Sequence, residues 1–256
     1  MRKHVICLPG GIAPAAQRFA SLLAAVGGRA ELHMNDLEVY RGGKPPTDYS
    51  VEMELEAVDR FADVLGLDRF HLLGYSAGGF IALAYAGTRP ERLLSLGLFE
   101  PAMVPGELAD EERTYIHLLQ ETLRGLEGAE FMSTFLHAQL KPGVEFPEMR
   151  GPLPPAMQNR PAGLVAFMQA FLAYEFDRGR FRDCRLPVYL GYGDLTSDME
   201  VVKARVLAGL FGDIRIQRYA GIHHFVAPEL IYTHDHAQAL EEVWARGSAA
   251  EPALQQ

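Results

Sequence analysis

The chain has 256 residues, enough for one large domain or two small ones at roughly 100 to 200 residues per domain. Its 48% hydrophobic and 22% charged residues are typical of a folded globular protein and exclude a disordered or fibrous chain. The net charge of −9 disfavours binding to nucleic acid or to an anionic membrane surface, because both partners are themselves negative.

Cysteine usage and the first residues predict a cytoplasmic protein. Cys7 and Cys184 are too few for a disulfide framework and lack the CxxC spacing of a metal or redox site, so both are expected to be inert buried thiols. The apolar run at 5–8 is shorter than the roughly 7 to 15 residues of a signal-peptide core. No apolar run reaches the roughly 18 residues of a membrane span, and we expect no membrane contact.

Short apolar runs alternate with helical patterns along most of the chain. One such pattern covers 51–65, after Ser50, a residue type that favours the N-cap position. The alternation predicts an α/β fold, in which a mostly parallel sheet is covered by helices on both faces and receives ligands at the carboxyl ends of its strands. The predicted strands are 4–8, 30–34, 70–73, 94–99, 188–190 and 214–219.

The alternation stops between residues 102 and 183, where helical patterns follow one another without a strand. This segment predicts a helical cap inserted into a core of residues 1–101 and 184–247, with 248–256 as a flexible tail. Six prolines make 141–161 an extended loop or a flap. Several apolar side chains of the cap are expected either to roof a ligand pocket or to pack in the hydrophobic core of the cap. They are Phe131, Met132, Phe135, Phe167, Met168, Phe171 and Tyr174.

A GxSxG motif occupies residues 74–78, directly after a predicted strand and before a helical run. A serine on such a sharp turn needs glycine at both flanking positions, because side chains there would collide. The motif therefore predicts a nucleophile elbow, with Ser76 as nucleophile and the Ala77 amide as an oxyanion donor. A second donor is expected from the loop after the first strand, with Gly11 preferred over Ile12. The alternative is an ordinary glycine-rich turn.

The base is expected after the last strand, where His223 and His224 are adjacent. Neutral imidazole can accept the serine proton and return it to a leaving group near pH 7. We prefer His224 and keep His223 as the alternative. A zinc site is disfavoured because no HExxH spacing is present. His234 and His236 open the last predicted helix and are expected to be capping and surface residues.

In these motifs and their order the chain resembles the α/β-hydrolase superfamily. The residues that carry the likeness are the Pro9-Gly10-Gly11 loop, the Asn35-Asp36-Leu37 turn, the elbow at 74–78, Arg89-Pro90-Glu91-Arg92 before a strand that Glu100-Pro101-Ala102 follows, and a histidine followed by Phe225. The resemblance implies eight mostly parallel strands, with a helical cap inserted after the sixth.

The acid departs from the family's usual pattern. In that pattern an Asp lies three residues after the glycine that ends the seventh strand, and here Thr196 occupies that position after Gly193. Asp194 and Asp198 each miss the position by two residues and are kept as alternatives. Haloalkane dehalogenases and some other members supply the acid from the end of the sixth strand, where this chain has Glu100. We prefer Glu100, with a structural carboxylate as the other interpretation.

These residues predict a serine hydrolase without cofactor or metal, acting on an ester, lactone or thioester of a small, largely apolar molecule. The alternative is a catalytically weak binding protein that kept the fold, because a displaced acid could leave the histidine misoriented. The sequence does not specify the oligomeric state or the substrate.

Overall fold

A computed structural model describes residues 2–146, 152–153, 155–182, 184–232 and 234–250. Its six strands form one sheet in the order β2-β1-β3-β4-β5-β6, and every neighbouring pair is parallel. The strands are β1 Lys3–Leu8, β2 Ala30–Met34, β3 Phe70–Tyr75, β4 Leu93–Phe99, β5 Val188–Gly193 and β6 Ile214–Tyr219.

Each of the six strands lies where an apolar run predicted one, and the α/β fold class is confirmed. The eight-strand count that the resemblance implied is not found within the described residues, whose sheet has six. The six strands coincide with the six short runs of the sequence that favour strands.

Ten α-helices surround the sheet in the described part of the chain. The last helix includes residues 248–250, which the sequence assigned to a flexible tail. The helices are α1 Ala15–Arg18, α2 Ala20–Val26, α3 Val51–Val64, α4 Ala77–Thr88, α5 Asp110–Leu123, α6 Gly128–Ala138, α7 Arg160–Ala173, α8 Met199–Leu210, α9 Pro228–Ile231 and α10 His234–Ala250. Among these residues, no helix combines the length and apolarity needed to cross a bilayer.

Two apolar layers hold the sheet between the helices. Alternate residues of β1 point to opposite faces, so Ile6 packs in the layer that contains α4, and Val5 packs in the layer that contains α10. Nearly every residue of α4 is buried, because the sheet covers one side of this helix and other helices cover the rest. Helix α4, which follows the GxSxG motif, is therefore fixed in position by packing on all sides.

The helices predicted to form a cap are α5, α6 and α7, which lie between β4 and β5, after the fourth of the six described strands, whereas the resemblance implied a cap after the sixth of eight. They share a small apolar core of their own, formed by Leu119, Leu123, Phe131, Met132 and Leu164. Residues 147–151 and 154 of the proline-rich segment lie outside the described residues. Leu140, which directly precedes the proline-rich segment, forms an isolated antiparallel bridge with Thr196, so the cap contacts the loop after β5.

Candidate active site

Ser76 occupies the turn between β3 and α4, with φ 54° and ψ −118°. This left-handed conformation is costly for a residue other than glycine and is typical of a functional turn. A Cβ on Gly74 would lie 2.4 Å from the Gly78 carbonyl oxygen, and one on Gly78 would lie 2.4 Å from that of Leu8. Both flanking glycines are therefore required by close backbone approach, as the motif predicted.

His224 lies in the loop between β6 and α9, and its ring is buried. Its Nε2 is 3.0 Å from Ser76 Oγ. His223 is directed elsewhere: its Nδ1 accepts a hydrogen bond from the Phe225 amide at 3.1 Å, and its ring contacts Phe146 edge to face. Of the two adjacent histidines, the structure brings His224 to Ser76.

Glu100 directly follows β4 and is fully buried. One carboxylate oxygen, Oε2, is 2.5 Å from His224 Nδ1. The other, Oε1, accepts hydrogen bonds from the Gly193 amide at 2.7 Å and from the Thr196 hydroxyl at 2.6 Å. Thr196, which occupies the position where the resemblance implied an acid, thus holds the carboxylate that lies beside His224.

The two alternative acids are used differently. Asp194 accepts a hydrogen bond from the Gly221 amide at 2.8 Å, which shapes the turn that leads to the histidines. Asp198 is mostly exposed and lies 3.3 Å from the Lys141 ammonium. Within the described residues neither carboxylate forms a hydrogen bond with His224, so Glu100 is the acid that the fold brings to the histidine.

Burial and neighbouring charges set the protonation states of the pair. Burial opposes ionisation of Glu100, but hydrogen bonds from His224, Thr196 and Gly193 hold the pKa of this carboxyl below its ordinary value. Burial lowers the pKa of His224 in spite of Glu100, with smaller contributions from the Lys203 and Arg18 charges. Near neutral pH the site therefore combines a carboxylate with a neutral imidazole.

Ser76 and His224 open onto a cavity beneath the cap. Gly11, Ile12 and Ala77 line the same cavity as Ser76. The choice between Gly11 and Ile12 stays a prediction. The side chains that the cap contributes are Tyr115, Ile116, Leu119, Phe135, Gln139, Leu164, Phe167, Met168 and Phe171.

Only some of the apolar cap side chains that were expected to roof a pocket face this cavity. Phe135, Phe167, Met168 and Phe171 line it. Phe131 and Met132 belong instead to the core of the cap, and Tyr174 packs against Phe80. A second cavity adjoins the first and shares Ile12, Tyr75 and Phe225 with it.

A family model described as the alpha/beta hydrolase fold matches residues 3–183, well over half of the chain. The chain belongs to this α/β-hydrolase family. Among curated proteins, 1-acylglycerol-3-phosphate O-acyltransferase ABHD5 of Sus scrofa is 38% identical over 79 residues, which are 28% of this chain and 23% of the relative. The human protein of the same name is 37% identical over the same length. The chain thus matches less than a quarter of these relatives' length.

Solved structures show the same fold over nearly the whole chain. The carboxylesterase CesB from Bacillus subtilis is 18% identical with a TM-score of 0.62, covering 94% of this chain and 83% of that one. NosK from Streptomyces actuosus is 18% identical with a TM-score of 0.67, covering 97% and 100%. A thermophilic esterase from Thermogutta terrifontis is 15% identical with a TM-score of 0.69, covering 96% and 90%. At these identities the likeness concerns the fold.

Tyr75 and Arg18 are parts of this α/β-hydrolase site that the sequence did not reveal. The Tyr75 hydroxyl donates to the backbone carbonyl of His224, and the two rings stack with centroids 4.9 Å apart. The Arg18 guanidinium lies 3.7 Å from the centre of the Tyr75 ring and donates to the Val226 carbonyl at 3.3 Å. Both side chains hold the histidine loop. GxSxG leaves its second position unspecified, so no motif signal pointed to Tyr75.

His236 corrects the prediction of a surface residue at the start of the last helix. Its ring is fully buried, and its Nδ1 lies 3.2 Å from the Ile231 carbonyl oxygen. The surrounding rings belong to Phe99, Tyr189, Tyr219 and Tyr232. Burial lowers the pKa of His236 to about 4. The side chain of His234 lies outside the described part of the structure.

Proposed function

We propose that this protein is a serine hydrolase that cleaves a carboxylic ester, lactone or thioester through an acyl-enzyme. The observation that carries the proposal is the line of contacts from Ser76 through His224 to Glu100, with distances of 3.0 and 2.5 Å. Such a line supplies a nucleophile, a base and a group that orients the base.

In the first half of the reaction, Ser76 Oγ attacks the substrate carbonyl while His224 Nε2 accepts the serine proton. Glu100 holds the Nδ1–H tautomer of His224, which leaves Nε2 free to act as the base, and it stabilises the imidazolium that forms. The amide of Ala77 and that of Gly11 or Ile12 stabilise the tetrahedral oxyanion. His224 then returns the proton to the departing alcohol or thiol.

In the second half, water attacks the acyl-enzyme, and His224 accepts a proton from that water. Collapse of the second tetrahedral intermediate releases the acid and returns the proton to Ser76 Oγ. Every proton passes between Ser76, His224 and the reacting groups, so the proposed cycle uses no cofactor.

The lining of the two cavities supports an apolar acyl group. Cap side chains from α5, α6 and α7 surround the first cavity, whose few polar side chains include Gln139 and Tyr115. The second cavity runs along residues 225–228, directly after His224. Ser76 and His224 both line the first cavity and neither lines the second, so we assign the acyl chain, which is bonded to Ser76 in the acyl-enzyme, to the first cavity.

A burst experiment tests the proposal. A fluorophosphonate probe and a series of p-nitrophenyl esters of increasing acyl length should show rapid labelling and steady turnover by the native enzyme. Ser76→Ala should abolish both without a change in thermal stability, and His224→Ala should reduce turnover far more than His223→Ala. A folded Ser76→Ala protein that keeps its turnover would overturn the mechanism.

The binding-protein alternative depended on an acid displaced from its usual position. The contact between Glu100 and His224 favours the enzyme, because it supplies the orientation whose loss would have weakened catalysis. Slow labelling without turnover on any ester, lactone or acyl thioester would instead favour the binding protein.

A further inference from the structure

Two histidines and a glutamate meet at the edge of the sheet, away from the proposed active site. His4 lies on β1, and Glu31 and His33 lie on the edge strand β2. The parallel register pairs His4 directly with Glu31, and His33 follows two residues later on the same face. The register therefore places all three side chains together.

Their ligand atoms lie close to one another. His4 Nδ1 lies 3.1 Å from His33 Nε2 and 3.8 Å from Glu31 Oε2, and one such atom from each residue lies within 4.8 Å of the others. Bonds of about 2.0 to 2.1 Å to a tetrahedral Zn²⁺ place neighbouring ligand atoms roughly 3.4 Å apart. The two imidazole planes are only 11° apart and their centroids are 5.4 Å apart, so the two nitrogens face each other, and both part-exposed rings must rotate to reach the tetrahedral angle.

The donor set has the chemistry of a zinc site. Two imidazoles and one carboxylate suit Zn²⁺, with water in the fourth position, whereas Mg²⁺ and Ca²⁺ prefer a shell of oxygen atoms. Without an ion, the short contact between the two rings needs one N–H directed at the other ring's lone pair. An ion would replace that proton, which can move to the other nitrogen of the same ring.

A competing cation lies beside the carboxylate. Arg2 Nη1 is 3.6 Å from Glu31 Oε2, but the Arg2 side chain is 76% exposed. Solvent weakens such an exposed pair, so a divalent ion can displace the guanidinium. The positive charges of Arg2 and the adjacent Lys3 still reduce the affinity, and we expect weaker binding than at cysteine-rich zinc sites.

We propose that His4, Glu31 and His33 form a Zn²⁺ site that joins the edge strand β2 to β1. The site lies toward the amino end of β1, whereas Ser76 follows the carboxyl end of β3, so the ion takes no part in the chemistry at the serine. Its expected effect is to stabilise the sheet edge, because an ion that binds only the folded chain shifts the unfolding equilibrium.

The proposal can be tested by isothermal titration calorimetry, in which Zn²⁺ and, separately, Mg²⁺ are titrated into the metal-free full chain. The protein is prepared without a polyhistidine tag. One Zn²⁺ should bind per chain, with an affinity at least tenfold lower in His4→Ala and in His33→Ala. His117→Ala, at an exposed cap histidine, should keep the native affinity. Mg²⁺ should not bind at this site.

A thermal melt supplies the second measurement. Saturating Zn²⁺ should raise the melting temperature of the native chain and of His117→Ala by several degrees, but not that of His33→Ala. Ester turnover of His33→Ala should equal that of the native chain, which shows that the variant is folded. Absence of saturable Zn²⁺ binding, or equal affinity in the native, His4→Ala and His33→Ala proteins, overturns the zinc site without affecting the proposed hydrolase.

Discussion

Exchange of Glu100 for glutamine is the most informative perturbation of the site, because the structure dictates how the new amide must lie. The Gly193 amide can only donate a hydrogen bond, and it donates to Glu100 Oε1 at 2.7 Å. In Glu100→Gln, the side-chain oxygen must therefore stay at that position. The side-chain NH₂ group then faces His224 Nδ1, where the carboxylate Oε2 lies in the native protein.

This arrangement selects the wrong form of the histidine. An NH₂ group facing Nδ1 donates to it, so the proton of the neutral ring moves to Nε2, which then cannot accept the Ser76 proton. The corresponding Asp-to-Asn exchange in a serine protease lowers kcat by about 10⁴. We expect a loss of about 10³ to 10⁴ here, which is about 4 to 5.5 kcal/mol in the activation barrier.

The assay is steady-state hydrolysis of the best p-nitrophenyl ester, with thermal melts of each variant. Asp194→Asn and Asp198→Asn are matched controls, since each replaces a carboxylate by an amide at a residue that forms no hydrogen bond with His224 in the described structure. Each should lower turnover less than about tenfold, well below the effect expected for the triad acid. Near-native turnover by folded Glu100→Gln, together with a large loss in either control, would refute the assignment and return the acid to the loop after β5.

Three further predictions concern Tyr75, Arg18 and His236. Tyr75→Phe removes the hydroxyl that donates to the His224 carbonyl and should lower kcat about tenfold or more with little change in KM, measured on the same ester. Arg18→Met removes a charge that lowers the pKa of His224, while Glu100 and Lys203 still face the ring. Activity needs neutral His224 and is lost as pH falls through its pKa, so the acid limb of kcat/KM should move to higher pH, and an unmoved limb would contradict this reasoning. His236 has a folded pKa of about 4, below the unfolded value of about 6.5, so its contribution to stability is lost as pH falls from 6.5 towards 4, by up to about 1.4 kcal/mol per pH unit. His236→Phe should flatten that dependence in denaturant titrations, with His117→Gln as the exposed control.

The sequence by itself determined the strands and the glycines of the elbow. Each is a local property: a buried strand needs a short apolar run, and a serine turn with φ 54° needs its flanking glycines. Short-range sterics act between residues that are close in the chain, so their pattern can be read directly. Of the two adjacent histidines, the preferred one, His224, is the one brought to Ser76.

The tertiary structure decided which acid meets the histidine and which side chains hold its loop. Strands β4 and β5 are neighbours, with Phe99 paired to Gly191, so Glu100 lies beside Gly193 although 93 positions separate them in the chain. Tyr75 likewise reaches the His224 carbonyl across 149 positions. Burial of His236 among four rings from other elements is a third case. These contacts depend on strand order and side-chain reach, which no local pattern of apolar residues or glycines specifies.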